Sequence, residues 1–202
     1  MTLDQFRPLA NRLLAPFVTA SVRLGLTPNA VSVLAILVAG GAGGAFYLGG
    51  QAPLWYGVAA LLVLLNGWLD LLDGALAREL EIASDGGDLL DHVLDRYADI
   101  FLLVGLAAGI DRYALGLAAV TGVLMTSYLG TQAQAVGLDR VYGGLLGRAD
   151  RLALMGVTGV LAALVTESIY GLPIVGWALV IFAVIGHLTA LQRFYYAMGD
   201  LE

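Results

Sequence analysis

The 202-residue chain has no cysteine and no lysine, five prolines, two histidines and only 13% charged residues. Without cysteine, disulfides, zinc–thiolate sites and iron–sulfur clusters are excluded. Without lysine, the ten basic residues are all arginine and face sixteen acids, a formal charge of −6. That balance argues against a nucleic-acid binder, and a lysine-free acidic chain fits a halophilic source, where an acidic surface keeps a protein soluble in high salt. The scarcity of charge also excludes a water-soluble globule, which carries about 25% charged residues. What fills the chain instead is apolar: 59% hydrophobic residues and a mean hydropathy of +0.85. At about 20 residues per span, the length allows roughly six or seven membrane helices and no further soluble domain. The expectation is an all-α, single membrane domain over 1–202, with a juxtamembrane helix (1–25) before a six-helix bundle (29–198).

The first residues do not read as a signal peptide, because Asp4 comes early and no unbroken apolar core precedes a small-residue cleavage site. Leu3, Phe6, Leu9, Leu13, Leu14 and Phe17 recur at helical spacing, punctuated by Arg7, Arg12 and Arg23. This pattern predicts an amphipathic helix lying in the membrane interface. Thr27-Pro28-Asn29 then reads as a helix start, with a threonine cap and proline in the first turn. Six spans are predicted at about 29–47, 54–77, 88–109, 113–135, 152–165 and from 173 until it fades at 193. In that arrangement Arg7, Arg12, Arg23, Arg78, Arg140, Arg148, Arg151 and Arg193 fall on one side, and Arg112 alone on the other. The positive-inside rule places that side, with both termini, in the cytoplasm of a multi-pass protein of the cell membrane.

The informative stretch is Asp70-Leu71-Leu72-Asp73-Gly74-Ala75-Leu76-Ala77-Arg78, followed by Gly87, Asp91 and Asp95. Asp70 and Asp73 are three apart, and Asp91 and Asp95 four apart, so each pair shares one helix face. A hairpin between the two helices lets the pairs face each other near the cytoplasmic end. An aspartate at mid-span costs roughly 2.5–3.5 kcal/mol, so four imply on the order of 10–14 kcal/mol before their mutual repulsion. The single arginine in the motif, Arg78, cannot neutralise them, whereas two divalent cations could. All-oxygen ligands suit Mg2+, or Mn2+, rather than zinc or copper.

The spacing Asp70-x2-Asp73-Gly74-x2-Ala77-Arg78-x8-Gly87-x3-Asp91-x3-Asp95 resembles the signature of the CDP-alcohol phosphotransferase family at every defined position. Leu26-Thr27-Pro28-Asn29, Ser127-Tyr128 and Gly147-Arg148-Ala149-Asp150-Arg151 are similar to the phosphatidylinositol-phosphate and archaetidylinositol-phosphate synthase branch of that family. The resemblance implies a displacement at phosphorus: an acceptor alcohol attacks the lipid-proximal phosphate of a CDP-lipid, CDP-archaeol or CDP-diacylglycerol, and CMP leaves. It implies two metal ions held by Asp70, Asp73, Asp91 and Asp95, with Asp95 also the general base. It further implies CDP-lipid contacts from Asn29, Ser32, Gly74, Arg78 and Ser84, and a homodimer in the bilayer.

Arg148 and Arg151, three apart at the mouth of the fifth span, suggest a clamp for a phosphate dianion and hence a phosphorylated polyol acceptor. Inositol phosphate is the first expectation. Relatives of that type carry basic residues after the Ser-Tyr pair, where this chain has Gly130, Thr131 and Gln132, so glycerol phosphate stays as the alternative. Asp88 is expected to cap the third span, Asp99 either to support the site or to pair with Arg96, and His187 to make a helix–helix hydrogen bond. A different class, an intramembrane cation transporter, predicts acids scattered through the membrane and an internal repeat. Here the intramembrane acids fall between Asp70 and Asp99.

Overall fold

The computed structural model describes residues 7–139 and 147–201, and these fold into seven helices. They are α1 (Arg7–Arg23), α2 (Pro28–Gly49), α3 (Leu54–Glu79), α4 (Asp85–Gly109), α5 (Tyr113–Ala135), α6 (Arg148–Leu164) and α7 (Ile174–Leu201). Among the described residues the only pairing outside helices is a single Ile169–Leu172 bridge in the α6–α7 turn. The all-α expectation therefore holds. Four helices, α2, α3, α5 and α7, are long and apolar enough to cross a membrane. The other two candidate spans differ for physical reasons. Helix α4 carries Asp85, Asp88, Asp91, Asp95, Arg96 and Asp99 before its last ten residues, and α6 has 17 residues and opens on Arg148, Asp150 and Arg151.

Local chemistry sets the helix starts. Thr27 accepts from the amide of Ala30 at 3.2 Å, with Pro28 at the first position, as the sequence predicts. For α4 the cap is Ser84, whose Oγ accepts from the Gly87 amide at 3.2 Å. Asp88, expected as the cap, lies inside the first turn instead, where its charge still faces the positive helix end. Helix α1 lies against α3, burying Leu14 and Val18, with Phe17 edge-on to Trp68 at 5.2 Å. Leu3, Phe6 and Arg140, which carried part of the sequence reading, lie outside the described residues.

Lipid is as apolar as leucine, so helices in a bilayer gain from close packing rather than from escaping water. The α2–α4 contact shows this directly. A Cβ at Gly105 would stand 2.1 Å from the Gly43 carbonyl oxygen, and one at Gly43 would stand 2.4 Å from that of Phe101, so the two backbones touch. Helix α5 pairs with α7 in a similar way, and Thr126 donates across that seam to the Gly186 carbonyl at 2.8 Å. Phe46, Leu102, Leu106, Met155, Leu179 and Phe182 fill the centre. Helix α6 packs on α3 and α7, whereas no comparable helix pairing joins it to α4 or α5 among the described residues. A gap therefore opens between α6 and the α4–α5 side, at the end where the carboxylates lie.

Candidate active site

The antiparallel hairpin of α3 and α4 brings the carboxylates together. Asp70, Asp91 and Asp95 each offer an oxygen, and these oxygens lie within 4.8 Å of one another. Asp73 stands beside this trio rather than in it. Its Oδ2 accepts from Ser32 Oγ of α2 at 2.6 Å, and it lines the same small cavity as Asp70, Asp91 and Asp95. Asn66, one turn before Asp70, lines that cavity too; its Nδ2 donates to the Ala35 carbonyl, while its buried Oδ1 has no protein partner. Hard oxygen donors at this density, with a spare buried acceptor alongside, fit a divalent cation of the Mg2+ or Mn2+ kind.

The arginines do something the sequence did not disclose. Arg148 reaches from the first turn of α6 into the trio, with Nη2 2.9 Å from Asp70 Oδ1 and 2.6 Å from Asp95 Oδ1. Arg151, one turn on, is 5% exposed and lies 3.0 Å from Asp99, itself 1% exposed. Arg96 lies 3.6 Å from Asp95 and 4.0 Å from Asp99, and donates to Ser127 Oγ. The expectation that the carboxylates have only Arg78 to neutralise them is thus corrected, because helix α6 supplies two guanidiniums and α4 a third. Arg148 and Arg151 are also not an open pair of cations, since each is engaged by an aspartate. The balance still favours a cation. Asp70, Asp73, Asp91, Asp95 and Asp99 against Arg96, Arg148 and Arg151 leave two formal negative charges, so the guanidiniums alone do not neutralise the carboxylates.

At the mouth of α2 and α4, Gly87 sits between two of the expected nucleotide contacts. A Cβ there would meet Ser84 Oγ at 3.4 Å and Asn29 Oδ1 at 3.9 Å. Ser84 serves this corner as the α4 cap, and Ser32 as the donor to Asp73. Gly74 lies inside α3, where glycine costs roughly 0.5–1 kcal/mol relative to alanine. A Cβ at Gly74 would meet only Arg78 Nη1, at an ordinary 3.5 Å, so the protein's own packing does not require the glycine. Arg78 itself is exposed at the end of α3.

A cavity of about 1890 Å3 opens from the carboxylates. Asp70, Asp95, Arg96, Arg148, Ser127 and Arg193 line its polar end, and Leu61, Leu64, Val157, Val160 and Leu161 its apolar walls. Arg193 of α7 donates to the Thr126 carbonyl at 2.6 Å. Arg193, expected from the sequence as a topology signal, and Arg96, expected there as a partner for Asp99, both line the cavity. The available clue to Arg96 was its place between Asp95 and Asp99. His92 Nδ1 lies 2.7 Å from the Asp88 carbonyl and is no member of the carboxylate trio, and His187 Nε2 meets Thr121 Oγ1 across the α5–α7 seam at 3.4 Å.

A polar, acid-rich head on an apolar groove fits a substrate that is part nucleotide and part lipid. Residues 25–190 match the model of the CDP-alcohol phosphatidyltransferases. The chain belongs to that family. An archaetidylinositol phosphate synthase of Methanothermobacter thermautotrophicus is 29% identical, over 99% of this chain and 96% of its own. A phosphatidylinositol phosphate synthase of Cutibacterium acnes is 32% identical, over 95% of each. The phosphatidylinositol phosphate synthase of Mycobacterium tuberculosis crystallised with CDP-DAG bound is 26% identical and covers 92% of this chain and 94% of that one, with a TM-score of 0.78. The same enzyme in complex with manganese and citrate gives a TM-score of 0.77, covering 92% of this chain and 88% of that one. The relatives are archaeal and bacterial alike. The chain is thus a metal-dependent transferase of phospholipid biosynthesis and a multi-pass membrane protein.

Proposed function

We propose that this enzyme transfers the lipid-phosphate group of a CDP-lipid to inositol phosphate and releases CMP. The observation that carries the reading is the Asp70, Asp91 and Asp95 trio, with Asp73 beside it, at the polar end of an apolar groove. Asn29, Ser32, Gly74, Arg78 and Ser84 hold the CDP moiety; the place of Gly74 beside the Arg78 guanidinium and the Asn29–Gly87–Ser84 corner support this. Asp70, Asp73, Asp91 and Asp95 hold two Mg2+ ions. When bound, these stabilise charge on the phosphate and on the departing CMP oxygen. Asp95 takes the proton of the acceptor hydroxyl as the new phosphorus–oxygen bond forms and the bond to CMP breaks. The polar end of the cavity carries Arg96, Arg148 and Arg193, which supports an acceptor bearing its own phosphate despite the uncharged Gly130, Thr131 and Gln132. Glycerol phosphate is the second reading, since the same arginines fit it.

The proposed setting is one domain of six spans, α2 to α7, with α1 as an amphipathic helix in the interface and both termini cytoplasmic. The ends that bear Arg23, Arg78, Arg148 and Arg193 support this orientation. The acidic, lysine-free composition supports a halophilic source, and the likeness to archaetidylinositol phosphate synthases supports an archaeal one with CDP-archaeol as lipid and a homodimer as the working unit. The test is CMP release by the purified protein with CDP-archaeol or CDP-diacylglycerol, Mg2+ and, separately, inositol phosphate, glycerol phosphate or serine. Release with inositol phosphate that stops on chelation is expected. Release with serine alone would overturn the phosphorylated acceptor, and turnover in excess chelator would overturn the metal.

A further inference from the structure

The place of Arg148 carries a consequence beyond acceptor binding. Its Nη2 contacts Asp70 Oδ1 and Asp95 Oδ1, its Nε lies 3.4 Å from Asp70 Oδ2, and its Nη1 lies 3.4 Å from the Asp95 carbonyl. One guanidinium therefore spans two of the three converging acids and engages both oxygens of Asp70. A magnesium ion takes its oxygens at about 2.0–2.1 Å, so an ion on these same oxygens would meet a like charge at contact distance. Arg151 is in a different position: it touches the same cavity but is only 5% exposed, and its partner Asp99, 1% exposed, lies outside the trio. Arg148 is partly exposed and lines the large cavity, so its long side chain has somewhere to go.

We infer that Arg148 is an exchangeable counter-ion: it holds Asp70 and Asp95 until the metal takes them, and is thereby released to bind the acceptor phosphate. The inference rests on the metal and acceptor reading above. Arg151 is the fixed post and Arg148 the arm that moves. Metal binding and phosphate binding are then coupled, and each strengthens the other by the same factor. The acceptor site is completed only after the metal has bound, which keeps the activated centre from forming around acceptor alone.

The experiment measures binding, not turnover. Mn2+ is titrated into the purified whole chain in detergent and the free ion followed by electron paramagnetic resonance, for the wild type, Arg148→Gln, Arg96→Gln and Asp70→Asn. Loss of a bidentate charged competitor is expected to tighten Mn2+ binding about tenfold or more in Arg148→Gln. Arg96→Gln removes a charge 3.6 Å from Asp95 that reaches only that one member of the trio, and separates general electrostatics from occupancy. Its gain is expected to stay below about threefold, in line with a partly exposed pair. In the wild type alone, binding of inorganic phosphate is expected to rise with Mn2+, an arm that holds even if Arg148→Gln does not fold. Equal Mn2+ affinity in the wild type and Arg148→Gln, equal gains in the two arginine variants, or phosphate binding indifferent to Mn2+ would each overturn the exchange. Unchanged Mn2+ binding in Asp70→Asn would instead overturn the metal reading on which it rests.

Discussion

At the level of single residues, Asp95 and Asp99 show how neighbours four apart on one helix divide their work. Asp95 lies in the trio and at the cavity, whereas Asp99, one turn deeper, is enclosed with Arg151. Asp95→Asn keeps the shape but cannot accept a proton, so the rate of transfer is expected to fall about 10²–10⁴-fold. CDP-lipid binding, measured separately by CMP-analogue competition, is expected to persist. An Asp95→Asn enzyme within a factor of about ten of wild type would remove the residue from the role of base. Arg151 belongs to stability as much as to substrate. Truncating one partner of a buried ion pair strands the other charge, at about 3–5 kcal/mol. Arg151→Ala is therefore expected to lower the thermal midpoint in detergent, and Arg151→Ala with Asp99→Ala to recover part of the loss. If the double variant melts below both singles, the pair is not the source of the effect.

Among the described residues helices carry most of this site, and their contacts fix its width. The backbones of α2 and α4 touch at Gly43 and Gly105 and leave Asn29 facing Gly87, while the packing of α2 on α3 sets Ser32 against Asp73. Gly105→Val would force a Cβ into the Gly43 carbonyl, so it is expected to separate the helices and to lose both stability and CDP-lipid binding. Overpacking costs typically 1–3 kcal/mol, and a Gly105→Val protein with the melting point and lipid affinity of wild type would contradict the seam. Much of this level was legible in the sequence. Helix α5 has the predicted bounds, and α2 and α3 differ by a turn or less, because apolar runs between Gly and Pro turns mark them clearly. Helix α4 begins before Asp88 because Ser84 takes the cap, and α6 begins at Arg148 because Asp150 Oδ2 accepts from the Gly147 amide at 3.1 Å. The last helix runs about two turns past Arg193, since polar residues at a membrane exit do not stop a helix. The motif spacing exposed the four aspartates, but not that Ser32 draws Asp73 aside or that α6 sends Arg148 among them. Those are contacts between distant segments, and spacing along the chain carries no record of them.

For the whole molecule the question is which way the site faces. Asp70 and Asp73 lie late in α3, Asp91 and Asp95 early in α4, Arg148 and Arg151 at the start of α6, and Arg193 late in α7. In an up-and-down bundle all of these fall at one end, the same end as the arginine-bearing turns. The proposed orientation, from the positive-inside rule, turns that end to the cytoplasm. The absence of cysteine makes the test clean, because any introduced thiol is the only one in the protein. Gln51→Cys and Glu167→Cys lie in the exposed α2–α3 and α6–α7 turns, and Glu79→Cys and Asp200→Cys at the opposite helix ends. With a membrane-impermeant maleimide on intact cells, the first two are expected to label at once and the last two only after the membrane is opened. The reverse pattern would put the carboxylates outside the cell and sink the cytoplasmic assignment. Labelling of Gln51→Cys and Glu167→Cys from opposite sides would instead break the span count, because α3 to α6 must cross an even number of times to return the chain to the same face.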